Sequence, residues 1–561
     1  MSMQRKTSFP SRAALASLAV WLLAPDAGAV TCTVTSTADS GSGTLREKVA
    51  DPTCDIISLN VSGVIVTSGS LAIARNLTIT GPGPAILTIQ GSQDPNSGFP
   101  IFRTSSGIVS ISGLSITNTM MPTDGVITNL GATLTVDNVT FSGNQSQGAI
   151  LNQSGALTVS NSRFSGNSNN RFGDLGAPAI MMNGGSAAIT GTTFSNNVSA
   201  GGFGGALTSY GGSFAITKST FTANSSDVAG AAIYSLDPLS VADSTFSGNS
   251  AYIGGAIALF STTAIRSSTF SGNTASEGGA VYGECANATI TDSTFSANSA
   301  GAGSAIATVI ASFCAPSSYT IVNSTISGGD SAAIWNPGGG LTLKNTIVAG
   351  AASTPVCMGG PITDGGGNIS YPDASCPGLN LNPQLGPLAN NGGPTQTMAI
   401  PAGSPAVDAA IASNCPTVDQ RGVTRPQGSG CDIGAYELIQ QAGPVFSGFF
   451  SPVSNSPVLN TAKAGQSIPI KFSLGGDWGL SIMASGYPAS QQIGCPLSAG
   501  TSAITETVTA GDSALSYDPI TQTYTYVWKT EKAWANTCRR FTLVLGDNGH
   551  TTRTADFSFT K

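Results

Sequence analysis

Charge is scarce in this chain of 561 residues: Asp, Glu, Lys and Arg together make 9% of it, against roughly 25% in an average soluble protein. The charge present leans acidic, 29 acids against 22 bases for a net −7, so the basic footprint of a nucleic-acid-binding protein is missing. Histidine occurs once, as His550, which excludes the paired histidines of an HExxH zinc site and leaves a Ser-His-Asp triad a single late residue to draw on. No Cys-x-x-Cys pair occurs, so redox and zinc duties lack their usual ligands. Helical periodicity is missing as well. On these absences we expect no cofactor and no metal site. What remains is 70 Gly with 40% hydrophobic residues, too apolar for disorder and, at this length, enough for about three domains of ~150–200 residues.

The first residues have the anatomy of a secretory signal. Arg5, Lys6 and Arg12 precede an apolar run from Ala14 to Ala24, and Ala27-Gly28-Ala29 is a small-x-small cleavage site. The run falls short of the ~20 residues that span a bilayer, so export with cleavage before Val30 is expected, leaving no transmembrane span. All ten cysteines follow that point, and an even count in an exported chain argues for disulfides. The simplest pairing joins sequential neighbours: Cys32 with Cys54, Cys285 with Cys314, Cys357 with Cys376, Cys415 with Cys431 and Cys495 with Cys538. Composition and spacing leave other connectivities open.

Self-similarity is the strongest signal. The phrase Ser-Thr-Phe-Ser-Gly-Asn recurs, with a Phe column at Phe141, Phe164, Phe194, Phe221, Phe246, Phe270 and Phe295, preceded by Ile116 and continued by Ile326 and Ile347. Asn stands three residues after each Phe, from Asn144 to Asn298, and a β-branched residue five before, from Ile111 to Ile321. A second phrase, Gly-Gly-Ala-aliphatic, recurs at Leu207, Ile257 and Val281. Short period-2 apolar segments separated by Gly, Ser and Asn predict stacked coils with these columns inside, each on its equivalent one coil away at ~4.8 Å. The Asn suits a bend, since it tolerates the left-handed conformation and its amide can ladder between coils. The fold class expected is all-β: a right-handed parallel β-helix with ten or more coils.

These units resemble the repeats of polymorphic outer-membrane proteins. The opening Val34-Thr-Ser-Thr-Ala-Asp-Ser-Gly-Ser-Gly-Thr-Leu-Arg-Glu resembles the CSLREA segment of bacterial β-helix proteins, and Leu77-Thr-Ile-Thr-Gly-Pro-Gly the early coils of pectate-lyase-like folds. After Ala349, Asn382-Pro-Gln-Leu-Gly-Pro-Leu-Ala-Asn-Asn-Gly-Gly-Pro-Thr, Gly403-Ser-Pro-Ala-Val-Asp, Asp419-Gln-Arg-Gly-Val-Thr-Arg-Pro and Cys431-Asp-Ile-Gly-Ala-Tyr-Glu follow in the order of a choice-of-anchor Q domain. That segment reads as a loop-rich cap over the last coil. Pro469-Ile-Lys-Phe with Gly475-Gly-Asp-Trp-Gly-Leu is similar to the PxKF domain, and its alternating strands suggest a small β-sandwich. The expected divisions are therefore a signal peptide over 1–29, the β-helix over 30–349, the cap over 350–440 and the sandwich over 441–561.

Pectate-lyase-like folds often act on polysaccharides, so carboxylate pairs matter. Asp243 and Asp292 share the column three before Phe, two coils or about 9.6 Å apart. The same column elsewhere holds Asn138, Asn161, Gly191, Lys218, Ser267 and Asn323, which is the palette of a turn. Asp419 and Arg421 read as a salt bridge of the cap, and His550 as an exposed turn residue. One column points to binding. The residue after the inward aliphatic should face outward, and there Tyr234, Tyr282 and Trp335 alternate with Ala258 and Ala307, a row of rings on which a sugar chain could stack. The resemblances imply an exported, noncatalytic protein of the bacterial surface, in adhesion or contact with extracellular glycans or host and cell-surface components. A polysaccharide lyase or glycoside hydrolase on the same scaffold and a structural stalk are the alternatives.

Overall fold

A computed structural model describes residues 28–91, 93–94, 98–170, 176–310, 317–350, 354–439, 445–495, 504–509, 515–546 and 550–561. Residues 1–27, nearly all of the signal-like segment, and Cys314 lie outside the described residues. The chain divides into two compact units, residues 1–439 and 440–561.

The first unit is a right-handed parallel β-helix of about 13 turns. A typical coil has three strands, Leu239–Ala242, Thr245–Ser247 and Ile257–Leu259. The first two pair in register with the same strands of the next coil, Val241 beside Ile265 and Phe246 beside Phe270, and the third places Ile257 beside Val281. The alternation found in the sequence therefore becomes inside and outside. The expected columns are inside: Phe141, Phe164, Phe194, Phe221, Phe246, Phe270 and Phe295 are fully buried, and each ring stacks on the next at 4.6–5.0 Å. Each such burial is worth ~1.5–3 kcal/mol, repeated coil after coil.

Two details differ from the sequence expectation. The Phe column continues through Ile326 to Val348, because Ile326 pairs with Val348 and Ile347 points to the other side. The Asn column forms the expected ladder, with Asn224 Nδ2 donating to Asn249 Oδ1 at 3.0 Å and to Phe194 O at 3.1 Å. The left-handed residue, however, is the one before it: Gly248 at φ +62°, Ala223 at +53° and Ala297 at +52°. Turning the chain one residue early frees the Asn side chain to point into the core, where its amide meets the buried carbonyls.

The ends of the stack are covered differently. A short helix, Leu45–Ala50, lies over the first coils with Leu45 and Val49 buried. Thr44 caps it, accepting from Glu47 N at 3.3 Å. At the other end the stack passes residue 349 by one coil, Cys357–Gly359, Ile362–Asp364 and Ile369–Tyr371, each parallel to its predecessor. Leu379 then bridges to Ile369 on that last coil. The rest of the loop-rich segment does not sit on the end. It runs back along the flank: Thr269 Oγ1 donates to Gln396 O at 2.5 Å, and Gly434 N to Asn345 O at 2.9 Å.

The second unit has two five-stranded sheets, one built around Ser467–Ser473 and Thr523–Lys529, the other around Cys538–Val544 and Thr552–Thr560. Ile470, Phe472, Tyr524, Trp528, Phe541 and Phe557 fill the core between them. Among the described residues four of the expected disulfides are in place, Cys32–Cys54, Cys357–Cys376, Cys415–Cys431 and Cys495–Cys538, and the fifth, Cys285–Cys314, falls partly outside them.

Candidate functional site

Asp243 and Asp292, the two acids weighed as a carboxylate pair, sit on a turn, the reading the column's palette favours. Every described member of their column has a positive φ, among them Asn138 at +51°, Lys218 at +48°, Asp243 at +50° and Asp292 at +45°. Short polar side chains and glycine adopt that conformation most easily, which accounts for the palette. The column bends the first strand into the second. Asp243 is half-buried, whereas Asp292 is 5% exposed beneath the flanking segment. Asp292 is therefore closed off from the open surface on which a carboxylate pair would have to act.

What covers Asp292 is an ionic cluster on the flanking segment. Arg425, whose side chain is wholly buried, places Nη2 3.5 Å from Asp292 Oδ1 and Nη1 2.9 Å from Glu437 Oε2. Nη1 also donates to Asp432 O at 2.8 Å and Nη2 to Gly434 O at 2.7 Å. Burial pushes the Asp292 carboxyl up to about 7, Arg425 pulls it down, and Asp419 adds to the rise. Burial likewise raises Asp432, to about 6. Asp419 holds Arg421 at 2.7 Å, the expected salt bridge, and Arg421 lies 3.6 Å over the Tyr436 ring. Beside the charges, Gln420 accepts from Thr294 Oγ1 at 2.6 Å and donates to Thr269 Oγ1 at 2.9 Å. These contacts fasten the segment to successive coils, while Asp292 Oδ1 and Arg425 Nε stay buried without a hydrogen-bond partner.

The aromatic column is also covered. Tyr234 is 7% and Tyr282 6% exposed. The Tyr234 ring lies 4.6 Å from Phe203 and 5.2 Å from Phe260, and Tyr282 is 6.3 Å from Phe260. Both rings leave the third strands on the outer side, as expected, but loops between the strands close over them: Tyr234 joins a satellite cluster with Phe203, Val228, Ile253 and Phe260, and Tyr282 lies against Phe260. Trp335 is half-buried beside Ala307. Three open rings in a row for a sugar chain are not there. His550 is exposed with φ +44°, as a turn residue.

Residues 168–312 match the family model described as right handed beta helix region. The match falls on coils of the first unit, including the stacked rings from Phe194 to Phe295. No curated protein and no solved structure was found to match.

Among the described residues, Cys32, Cys54 and Asp51 are the one group close enough to hold a metal ion, and the Cys32–Cys54 disulfide takes both sulfurs. No helix among the described residues is long and apolar enough to cross a membrane. Sequence reading singled out Asp419 and Arg421 but missed the central residue of the cluster, Arg425, together with its partners Glu437 and Asp432. All three belong to the motifs that carried the resemblance. Their signal was concentration: in a chain so poor in charge, two short motifs hold Asp419, Arg421, Arg425, Asp432 and Glu437.

Proposed function

We propose that the protein is exported and noncatalytic, a stiff β-helical spacer whose side meets extracellular glycans or cell-surface components. The observation that carries the reading is the outer column of the first strands. From Thr135 and Thr158 through Ala188, Ala215 and Ser240 to Thr289 and Thr320, small residues stand in register, exposed or half-buried, without a bulky side chain between them. Such a strip can lie flat against an extended polymer, each hydroxyl adding little and many together adding avidity. Export is supported by the four disulfides and by the resemblances to surface proteins. It is supported further by Val30, whose N lies 2.9 Å from Asp55 Oδ2, so that cleavage after Ala29 creates an ammonium facing a carboxylate. Against a catalytic reading stands Asp292, already engaged by Arg425 and closed off from solvent.

The test is binding of the full exported chain to a glycan array and to cells, beside a variant with Thr135, Thr289 and Thr320 replaced by Arg. Loss of binding in the variant with an unchanged circular-dichroism spectrum is expected. Depolymerisation of any glycan by the parent, abolished by Asp243→Asn, overturns the reading in favour of a lyase or hydrolase. Absence of all binding leaves the stalk.

A further inference from the structure

The second unit contains a pocket of about 280 Å³ lined by strands of both sheets, with Ser490, Thr505 and Arg539 from one sheet, Lys529 from the other, and Glu531 and Trp534 completing the wall. That volume is just below the ~300 Å³ at which small-molecule sites begin, room for one ring-sized ligand.

Its distinguishing feature is Arg539. The guanidinium carbon lies 4.0 Å over the Trp534 ring, and the indole is backed by Trp528 and Phe559, each 5.7 Å away, so the plane of the guanidinium is held by a rigid base. Nη1 donates to Ser490 Oγ at 3.2 Å, while Nε is buried with no hydrogen-bond partner. Among the described residues no carboxylate reaches ion-pair distance of Arg539, whereas Arg46, Arg421, Arg425 and Arg540 each hold one. Burial lowers the Arg539 pKa, and Glu531 offsets part of that from a distance. A half-buried cation fixed in orientation, with Glu531 in the pocket wall but beyond ion-pair distance, gains from an anion that reaches it directly. Lys529 adds a second positive charge, and the Ser490 and Thr505 hydroxyls supply polar groups of the kind that sugar hydroxyls meet.

We propose that this pocket binds the carboxylate of an acidic sugar residue, a hexuronate, with the guanidinium of Arg539 gripping the carboxylate, Lys529 adding charge at the wall and the hydroxyls contacting the ring. The proposal rests on the glycan-contact reading above and names the acidic sugar as its ligand class. Arginine is suited to the role because its planar fork matches a carboxylate in two contacts, which a lysine ammonium cannot do.

The experiment is titration of the full exported chain with galacturonate, galactose and acetate, followed by calorimetry and by indole fluorescence, for the parent, Arg539→Lys and Lys529→Ala. Galacturonate is expected to bind, about tenfold more weakly to Arg539→Lys and about threefold more weakly to Lys529→Ala, with affinity falling as salt rises. Galactose and acetate are expected to bind far more weakly than galacturonate. Equal affinity of parent and Arg539→Lys overturns the proposal, as does equal binding of galactose or no binding of galacturonate. Acetate binding as tightly as galacturonate overturns the sugar assignment. Circular dichroism of each variant separates lost binding from lost fold. The glycan array separates the two levels of the argument: glycan binding unaffected by Arg539→Lys leaves the strip reading intact and removes this site, and galacturonate binding without any array signal does the reverse.

Discussion

Arg425, on the segment that runs along the flank, points Nη2 at Asp292 Oδ1 3.5 Å away on a turn of the β-helix, while its Nη1 is held by Glu437 at 2.9 Å. All three side chains are buried. The pair joins two parts of the chain that no short-range pattern links, and it makes the segment a clamp on the stack rather than a lid on its end.

Replacing Arg425 by Ala leaves Glu437 and Asp292 buried without a counter-charge. Breaking a buried pair in this way costs about 3–5 kcal/mol. The expected result is release of the flanking segment, read as faster proteolysis between residues 391 and 437 and a lower urea midpoint. A variant as resistant as the parent refutes the clamp.

Asp292 also sets a pH dependence. Its carboxyl titrates near 7 in the folded chain against 3.8 for the free group, so between those values the folded state binds more protons than the unfolded. Its contribution is therefore fully present below about pH 4 and lost as the pH rises through 7. The slope is at most about 1.4 kcal/mol per pH unit for one proton. Urea midpoints taken from pH 4.5 to 8 should show this fall in the parent and a flatter line in Asp292→Asn. An identical slope in both assigns the dependence to other groups.

The Asn ladder offers a test of the stack itself. Asn224→Ala deletes the donors to Phe194 O and Asn249 Oδ1, and strips Asn197 N and Asn197 Nδ2 of their acceptor at 3.1 and 2.9 Å. Each orphaned buried group costs ~1–3 kcal/mol. Destabilisation of several kcal/mol should appear in the denaturation midpoint, and a change below about 1 kcal/mol means that the ladder is replaceable by water.

The turn before the ladder makes a prediction of opposite sign. Ala223 and Ala297 hold φ of +53° and +52°, where an L side chain is strained by ~1–2 kcal/mol. Glycine removes the strain but adds unfolded-state entropy of ~0.5–1 kcal/mol, so Ala223→Gly and Ala297→Gly should raise the melting temperature slightly. Gly248→Ala, at φ +62° with open space around the missing Cβ, should lower it. A fall in all three cases would show that packing at these turns outweighs conformation.

Much of this architecture is readable in the residues. The columns of Phe, Asn and β-branched residues are inside because a stacked coil meets nearly the same environment every turn, so a repeated side chain reports a repeated position. The slip at Ile347 has a local cause. Ile347 and Val348 are adjacent apolar residues, and periodicity alone does not say which one faces in. Ile347 is apolar because it packs outside with Ile400 and Ile433 of the flanking segment. The left-handed turn was misplaced by one residue, although Gly143, Gly166, Gly248 and Gly272 directly before the ladder residues carried the signal.

By itself, then, the sequence determined the all-β class, the repeat and the inward columns, since each of these depends on contacts within a coil or between neighbouring coils, while the disulfide pairing, one of several open to the sequence, came from the structure. Only the tertiary structure decided which outward faces stay open. Tyr234 and Tyr282 point outward along the strand yet are buried, because loops of variable length close over them. Thr269, fully buried, and the half-buried Thr245 occupy the same column one coil apart, and what separates them is a hydrogen bond to Gln396, 127 residues further along the chain. Alternation along a strand specifies a direction for each side chain. Exposure depends also on what later chain comes to rest against it, and that is a long-range packing choice with no periodic mark in the strand.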